Sequence, residues 1–278
     1  MPYVFIIGSY ELQKVELLIR TNMKRLAFLL LSPCLLPVHA AAQIGQYRSE
    51  LAVGGSGGYV AGRVGFMPDV PQNMHHGLTA GLTLRYTSEK YFSSICAIVG
   101  EVNLVRTGWQ EKIQKPDDTP VVNAVTGQAE EYQRDLTYLQ VPVFARLGWG
   151  RERRGFQFFF QAGPQAGFLL KEKTKTNFPW ESRTPAYEDG SGRTSPVVAQ
   201  DTMAVERKVD YGIAAGIGLE FSHPKAGHFL LEGRYYYGLG DIFGNSKLDY
   251  FGRSNISNIV VKLTYLFDLT KTSNTDVK

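Results

Sequence analysis

Two consecutive segments between Tyr132 and Leu170 alternate between apolar and polar residues. In the first segment, one set of alternate positions is almost wholly apolar: Thr137, Leu139, Val141, Val143, Ala145, Leu147 and Trp149. The other set is mixed and carries a charge: Tyr138, Gln140, Pro142, Phe144, Arg146 and Gly148. After the charged turn RERR, the alternation continues in GFQFFFQAGPQAGFLL. Because successive side chains of a strand point to opposite faces, the pattern predicts a β-hairpin with one apolar face and one polar face.

The same alternation recurs along the chain after residue 45, and it predicts about eight strands in all. The connections between these strands alternate in length. Short turns are predicted near 87–90, 151–154 and 222–226, and longer polar segments at 110–131 and 171–203. Short turns at one rim and long loops at the other are typical of an outer-membrane barrel. A soluble exported β-sandwich or ligand-binding barrel is the alternative; it accounts for the alternation but not for this rhythm of connections.

The charged residues of the predicted strands all fall on the less apolar set of positions. They are Arg85, Glu101, Arg146, Glu220, Glu232, Arg234 and Lys262. The opposite face is a band of Leu, Val, Ile, Phe and Tyr, which is tolerable on the outside only in lipid. Since backbone groups in hydrocarbon must be paired, the sheet has to close. Aromatic residues near strand ends are expected to form interfacial girdles: Trp109, Tyr138, Trp149, Tyr235, Tyr237, Tyr265 and Phe267.

These observations predict an all-β fold, an up-and-down antiparallel transmembrane β-barrel over residues 43–268, followed by a polar C-terminal tail at 269–278. The expected location is the bacterial cell outer membrane, with outer-membrane lipid as a partner. Residues 23–42 have the basic start, the short apolar core and the small-residue cleavage site of a signal peptide. Residues 1–22 are expected to be a mis-set start or a leader. Export would remove Cys34 and leave Cys96 as a lone cysteine.

Few residues suggest catalysis or cofactor binding. The net charge of +4 is too small, and too evenly mixed with acids, to indicate a nucleic-acid partner. His75 and His76 are placed in the first outer loop without a spaced third metal ligand. The run GGSGG at 54–58 lacks the Lys-Ser/Thr ending of a phosphate loop and is assigned to close packing. The sequence therefore predicts no enzyme activity, no metal and no cofactor.

Two short motifs resemble a known family. Tyr138-Leu139-Gln140-Val141-Pro142-Val143 is similar to the Tyr-Leu-Glu-Ile-Pro-Leu signature of PorT-like outer-membrane β-barrel proteins, with Gln140 in place of the glutamate. Glu232 to Leu239 resembles the strand end that carries Arg-Tyr and Gly-Leu in that family. The resemblance implies an envelope barrel and, for some members, an association with protein secretion.

An eight-strand barrel is only wide enough to be filled by its own side chains. The charged set is therefore expected to form an ion-pair network that plugs the lumen. A plugged barrel would serve as a structural or interaction protein, using loops such as 171–203 to bind an envelope or secretion protein. A small channel for ions or small solutes remains the alternative, because inward glycines leave some space.

Overall fold

The computed structural model of this chain describes residues 46–91, 93–185, 201, 203–244, 246 and 249–271. The expected leader at 1–22 and the expected signal peptide at 23–42 lie outside these residues, as do 272–278 of the expected tail. The strands in the described part are β1 (Gln46–Met67), β2 (Gln72–Asn73), β3 (His75–Tyr91), β4 (Ser94–Lys112), β5 (Glu131–Gly150), β6 (Gly155–Thr176), β7 (Val209–His223), β8 (Gly227–Asp241) and β9 (Arg253–Thr270). One 3₁₀ turn, Trp180–Ser182, lies between β6 and β7.

Eight long strands close into a ring. Around the ring the order is β4, β3, β1, β9, β8, β7, β6 and β5, and β5 pairs again with β4. Each of these pairs is antiparallel. The two-residue strand β2 adds to the outer end of β4. The predicted up-and-down barrel of about eight strands is confirmed, and the ring leaves no unpaired edge along its long strands.

The connections separate the two ends of the ring. At one end lie the short connection from Tyr91 to Ser94 and the turns 151–154 and 224–226, and this end is called the turn rim. At the other end lie the described parts of the segments 68–74, 113–130, 177–208 and 242–252, and this end is called the loop rim. In outer-membrane barrels the short turns face the periplasm and the long loops face the outside. Among the described residues, no helix is long and apolar enough to cross a membrane.

The two faces of each strand differ in exposure as the alternation predicts. Along β8, Phe229, Leu231 and Tyr235 are 49%, 50% and 51% exposed on the outer face. The intervening Glu232 and Arg234 are buried inside the ring. The outward band is therefore apolar, and the charged side chains of the strands point into the lumen.

Two of the predicted girdle aromatics do not face lipid. Trp109 and Tyr138 are 0% and 1% exposed and lie inside the barrel. Their position near strand ends suggested a girdle, but they share the inward alternate set with Glu101 and Gln140, and this alternation decides their direction. The other five predicted girdle residues lie on the outward face: Trp149, Tyr235, Tyr237, Tyr265 and Phe267.

The predicted loop position of the histidine pair is also wrong. His75 and His76 begin β3, because the strand extends two residues beyond the predicted start at Gly77. His75 is buried at 1% exposure, and its Nε2 lies 2.6 Å from Asp135 Oδ1. The pair is therefore part of the barrel wall, and its two members face different surroundings.

The glycines of β1 have two distinct roles. A Cβ placed on Gly54 would lie 1.7 Å from the backbone oxygen of Tyr265, so no larger residue fits there. Gly55 and Gly57 face outward, and a Cβ on either would approach no heavy atom more closely than 3.9 Å. The expectation of close packing therefore holds for Gly54 but not for its outward neighbours.

Candidate functional site in the barrel lumen

The seven charged residues singled out in the sequence all lie inside the ring. Each is at most 8% exposed: Arg85, Glu101, Arg146, Glu220, Glu232, Arg234 and Lys262. They form two clusters, one around Glu220 near the turn rim and one around Glu101 further along the lumen. Because buried charges need partners to offset lost hydration, the contacts within each cluster decide what the lumen can do.

Glu220 of β7 is the centre of the first cluster and is 1% exposed. Arg85 Nη1 donates to both carboxylate oxygens of Glu220, over 2.7 and 2.9 Å. Arg146 Nη2 donates to the same carboxylate. Strands β3 and β7 lie four places apart in the ring of eight, so the Arg85–Glu220 bond joins opposite walls. The lumen at this level is thus narrow enough for two side chains to cross it.

His228 extends this cluster toward the turn rim. It is not among the charged residues predicted from the sequence. Its Nδ1 lies 2.7 Å from Glu220 Oε1 and 2.9 Å from Ser222 Oγ. Its Nε2 lies 3.0 Å from Asp268 Oδ1. The signal was available, because His228 shares the inward alternate set of β8 with Glu232 and Arg234. Ser222 is 1% exposed, so this Ser, His and Asp series offers no accessible nucleophile.

Glu101 of β4 is the centre of the second cluster. Arg234 donates through Nη1 and Nη2 to its two oxygens over 2.8 and 2.9 Å, a bidentate pair. Lys262 Nζ donates to Glu101 Oε1 over 2.6 Å, and Asn103 Nδ2 to Oε2 over 2.8 Å. Strands β4 and β8 also lie on opposite sides of the ring. This cluster therefore crosses the lumen a second time.

Glu232 completes the second cluster from the same strand as Arg234. It accepts hydrogen bonds from Arg234 Nε over 2.8 Å and from Gln161 Nε2 over 2.8 Å. Arg234 thus lies between two carboxylates, those of Glu101 and Glu232. Gln161 and Asn103 were not predicted as site residues, although each lies on the inward alternate set of its strand.

Aromatic rings pack against the arginines of both clusters. The guanidinium carbon of Arg146 lies 3.8 Å from the ring centroid of Phe159, and that of Arg234 lies 4.4 Å from the centroid of Phe144. Both rings are buried at no more than 1% exposure. A cation over an aromatic face is attracted by the ring quadrupole, and the attraction is larger where water is absent. The rings also fill the space between the ion pairs.

Further toward the loop rim lies a layer of buried hydrogen bonds. Tyr236 OH donates to Asp210 Oδ2 over 2.6 Å, and both side chains are buried. Thr107 Oγ1 donates to Asn258 Oδ1 over 2.6 Å. Tyr138, from the sequence motif described above, is buried in the same apolar cluster as Tyr236. This layer separates the ion pairs from an apolar region at the outer mouth.

The outer mouth is filled by four aromatic side chains, here called the aromatic plug: Phe66, Trp109, Phe243 and Phe251. The ring centroids of Phe66 and Phe251 are 4.7 Å apart, and those of Phe66 and Trp109 are 5.3 Å apart. Phe243 and Phe251 belong to the loop 242–252, so this loop folds back into the barrel. Arg134 lies over the plug, with its guanidinium carbon 5.4 Å from the Phe243 ring centroid.

Beyond the plug, two loops and the start of β5 form a small core of their own, here called the outer-loop cluster: Ile113, Val121, Tyr132 and Phe178, with Trp180 packed against them. Hydrogen bonds join the two loops. Asn123 Nδ2 donates to Ser182 O over 2.8 Å, and Thr184 N donates to Glu130 Oε1 over 2.9 Å. These contacts hold parts of the segments 113–130 and 177–208 against each other.

The described residues contain no group of three or more His, Cys, Asp or Glu side chains arranged to hold a metal ion. Near His75, the carboxylate of Asp135 is instead bound by cations, since Lys175 Nζ lies 2.9 Å from Oδ2 and Arg106 also donates to it.

The sequence matches a family of proteins whose description agrees with a closed ring that has an apolar outer band and a charged interior. The family described as "Outer membrane protein beta-barrel domain" matches residues 41–244. The chain belongs to this family. The predicted location in the bacterial outer membrane is thereby confirmed, and the outward band of this outer-membrane barrel lies against lipid.

Solved outer-membrane proteins resemble this barrel at low sequence identity. The attachment invasion locus protein Ail of Yersinia pestis, solved with the heparin analogue sucrose octasulfate, is 18% identical; the match covers 78% of this chain and 99% of Ail, with a TM-score of 0.33. OprG from Pseudomonas aeruginosa is 13% identical over 80% of this chain and 98% of its own, with a TM-score of 0.40.

A third structure, described as the outer membrane enzyme PagL, is 11% identical over 76% of this chain and 98% of its own, with a TM-score of 0.37. No sequence among the curated proteins compared with this chain matches it.

Proposed function

We propose that this outer-membrane barrel is a closed structural or interaction protein of the envelope, which acts through its outer loops and does not conduct through its lumen. The observation that carries the proposal is the pair of bonds between opposite walls, Arg85 to Glu220 and Arg234 to Glu101. The aromatic plug lies outside both bonds and adds an apolar layer. A water path would have to pass the two ion-pair levels and then this layer.

The interaction role rests on the loop 113–130 at the loop rim. The outer-loop cluster gives the segment 113–130 a folded base, and the isolated bridge between Val122 and Ala129 shapes its tip. Val122 and Val125 on this tip are 53% and 76% exposed. We take these two exposed apolar side chains on a folded base as the surface that meets the partner.

More specifically, we propose that the barrel is a PorT-like protein associated with secretion, and that its partner is an envelope or secretion protein. The motif from Tyr138 to Val143 supports it. Tyr138, Gln140 and Pro142 point inward and are buried, whereas Leu139, Val141 and Val143 point toward lipid. We further infer that residues 23–42 are removed on export. Enzyme activity is not part of the proposal, because the serine nearest to a histidine and a carboxylate, Ser222, is buried.

Planar-bilayer recording tests the closed lumen. The purified, refolded barrel is expected to conduct negligibly. A triple variant, Arg85→Ala with Arg146→Ala and Glu220→Ala, serves as the comparison. It removes the three partners of one ion-pair cluster together, so none of the three is left as an unpaired charge in the lumen. A steady, ion-selective current from the unmodified barrel would contradict the proposal and favour the small channel.

Site-specific photo-crosslinking in cells tests the interaction role. A photoreactive residue at Val125 is expected to give one discrete adduct with an envelope protein. The same residue at Asp117, exposed in the same loop, is the matched control and is expected to give none. Absence of an adduct at Val125, or equal adducts at both positions, would remove the tip as a binding surface.

A further inference from the structure

An apolar groove of about 440 Å³ crosses the outward face of the barrel near the turn rim. Its walls include Phe221 and Leu219 of β7, Phe229 and Leu231 of β8, and Tyr265 of β9. Gly55 and Gly57 of β1 line its floor. All these strands cross the apolar band, so the groove is continuous with the surface that contacts lipid. Its volume is in the range of small-molecule sites, roughly 300–1,000 Å³.

The groove exists because β1 places glycines where its neighbours carry large side chains. In the register between β1 and β9, Gly55 is paired with Tyr265 and Gly57 with Leu263. A Cβ on Gly55 or Gly57 would be 4.0 or 3.9 Å from the nearest backbone oxygen, so packing does not require glycine at either position. This contrasts with Gly54, where the backbone of β9 excludes any side chain. Gly55 and Gly57 therefore leave a groove in the outer surface, although the packing of the strands does not require glycine there.

Basic side chains lie at the turn rim beside the groove. Lys225 is exposed in the turn between Phe221 and Phe229, and Arg154 is exposed two residues before Phe156, another lining residue. Lys271 follows β9, is 54% exposed and has its Nζ 3.2 Å from Asp268 Oδ2.

Three acids of this rim are paired with cations. Glu152 Oε2 accepts from Arg48 over 3.1 Å and lies 3.4 Å from Lys90 Nζ, and Glu50 lies 3.3 Å from Arg153. Asp268 lies against His228 as well as Lys271. The exposed side chains of Lys225 and Arg154 next to the groove therefore present positive charge.

We propose that this groove is a binding site for one acyl chain of an acidic phospholipid from the periplasmic leaflet, with the headgroup phosphate held by Lys225 and Arg154. The apolar walls and the open floor at Gly57 match a hydrocarbon chain, whose burial is favourable for each methylene group. The cations at the same end match an anionic headgroup. The site is independent of the outer loops and of the lumen.

Native mass spectrometry of the barrel in detergent micelles tests the site. Barrel is mixed with phosphatidylglycerol or with phosphatidylcholine of the same acyl chains, and free lipid is removed by detergent exchange. The unmodified barrel is expected to retain one phosphatidylglycerol in preference to phosphatidylcholine. Gly57→Leu fills the floor and is expected to lower retention about tenfold, the change expected when two methylene groups lose their contacts.

Gly100→Leu is the matched control. Gly100 lies on the outward face of β4, away from the groove, and a Cβ there meets nothing within 4 Å. Heat-modifiable gel migration shows that each variant is folded. The double variant Lys225→Gln with Arg154→Gln is expected to keep the acyl chain and lose the preference for phosphatidylglycerol.

Three results would overturn the proposal. Equal retention by the unmodified barrel, Gly57→Leu and Gly100→Leu would show that lipid binds the wall without regard to the groove. An unmodified dimer that Gly57→Leu dissociates would assign the groove to a second copy of the chain. Equal retention of the two lipids by the unmodified barrel would remove the headgroup contact.

Discussion

The two ends of the lumen are filled by different chemistry. Toward the turn rim the interior is ionic, with Glu220 and Glu101 each bound by at least two cations. Toward the loop rim it is aromatic, with Phe66, Trp109, Phe243 and Phe251 in mutual contact.

The first region consists of strand residues, whereas two of the four plug residues come from a loop. The ionic half is therefore part of the rigid ring, whereas the aromatic half depends on how a loop folds back into that ring. Changes in the two halves should therefore differ in what they destabilise.

The largest effect is expected from Glu220→Gln. This change leaves Arg85 and Arg146 without their shared carboxylate inside the ring, and breaking a buried pair from one side costs roughly 3–5 kcal/mol. The measurement is a urea titration of the barrel in lipid vesicles, followed by gel mobility. Glu131→Gln, at an exposed carboxylate of β5, is the control and should cost far less. Equal losses for the two variants would show that the ionic half does not stabilise the ring.

A smaller effect is expected from Phe251→Ala in the aromatic half. A Phe→Ala change in a rigid core costs roughly 3–5 kcal/mol, and the cost falls where the site can collapse. Since Phe251 belongs to the loop 242–252, the global unfolding free energy should fall by less than about 3 kcal/mol. The loop should instead become open to added protease, because local opening precedes unfolding of the ring.

Tyr250→Ala is the neighbouring control, because this side chain is 52% exposed. A protease pattern unchanged by Phe251→Ala, together with a loss as large as that for Glu220→Gln, would mean that the loop and the ring unfold as one unit.

The sequence predicted the ionic half because strand periodicity alone determines which residues point inward. The alternation placed Arg146, Glu232 and Lys262 on one set of positions, and a narrow ring leaves such side chains few partners other than one another. The same rule would have placed His228 and Gln161 in the site had polar residues been considered beside charged ones. It would also have moved Trp109 and Tyr138 from the girdle to the interior.

The aromatic plug could not be predicted in this way. Phe243 and Phe251 lie in a segment without periodicity, so nothing in the local sequence says whether a ring packs into the barrel mouth or against a neighbouring loop. Their positions depend on contacts with Phe66 and Trp109, which are distant in sequence. The groove at Gly57 was missed for a related reason, since a glycine removes the side chain by which the face of a strand is assigned.

A double-mutant cycle at Glu232 and Arg234 measures coupling within the ionic half. Arg234 donates to Glu232 through Nε and Nη2, so the two losses should not add, and the coupling energy should be roughly 0.5–3 kcal/mol. The free energies of unfolding of the two single variants and of the double variant, all to Ala, give this value. A second cycle pairs Glu232→Ala with Phe251→Ala across the two halves. That cycle should be additive within about 0.5 kcal/mol, and a larger coupling there would mean that the two halves are energetically one region.

The smallest effect is expected from Arg153→Gln at the turn rim, and it separates burial from charge as the cause of stability. Arg153 is 55% exposed, and its Nη2 lies 3.3 Å from Glu50 Oε1. Exposed ion pairs contribute roughly 0.2–1 kcal/mol, because water offsets most of the attraction. The loss in the urea titration should therefore stay within that range and shrink as salt is added, since salt screens exposed charges. Arg146→Gln is the comparison, because Arg146 is buried and binds Glu220; its loss should be several times larger and nearly independent of salt. If the two variants lost equal stability, ion pairs at the rim and in the lumen would contribute equally, and burial would add nothing to the ion pair of Arg146 with Glu220.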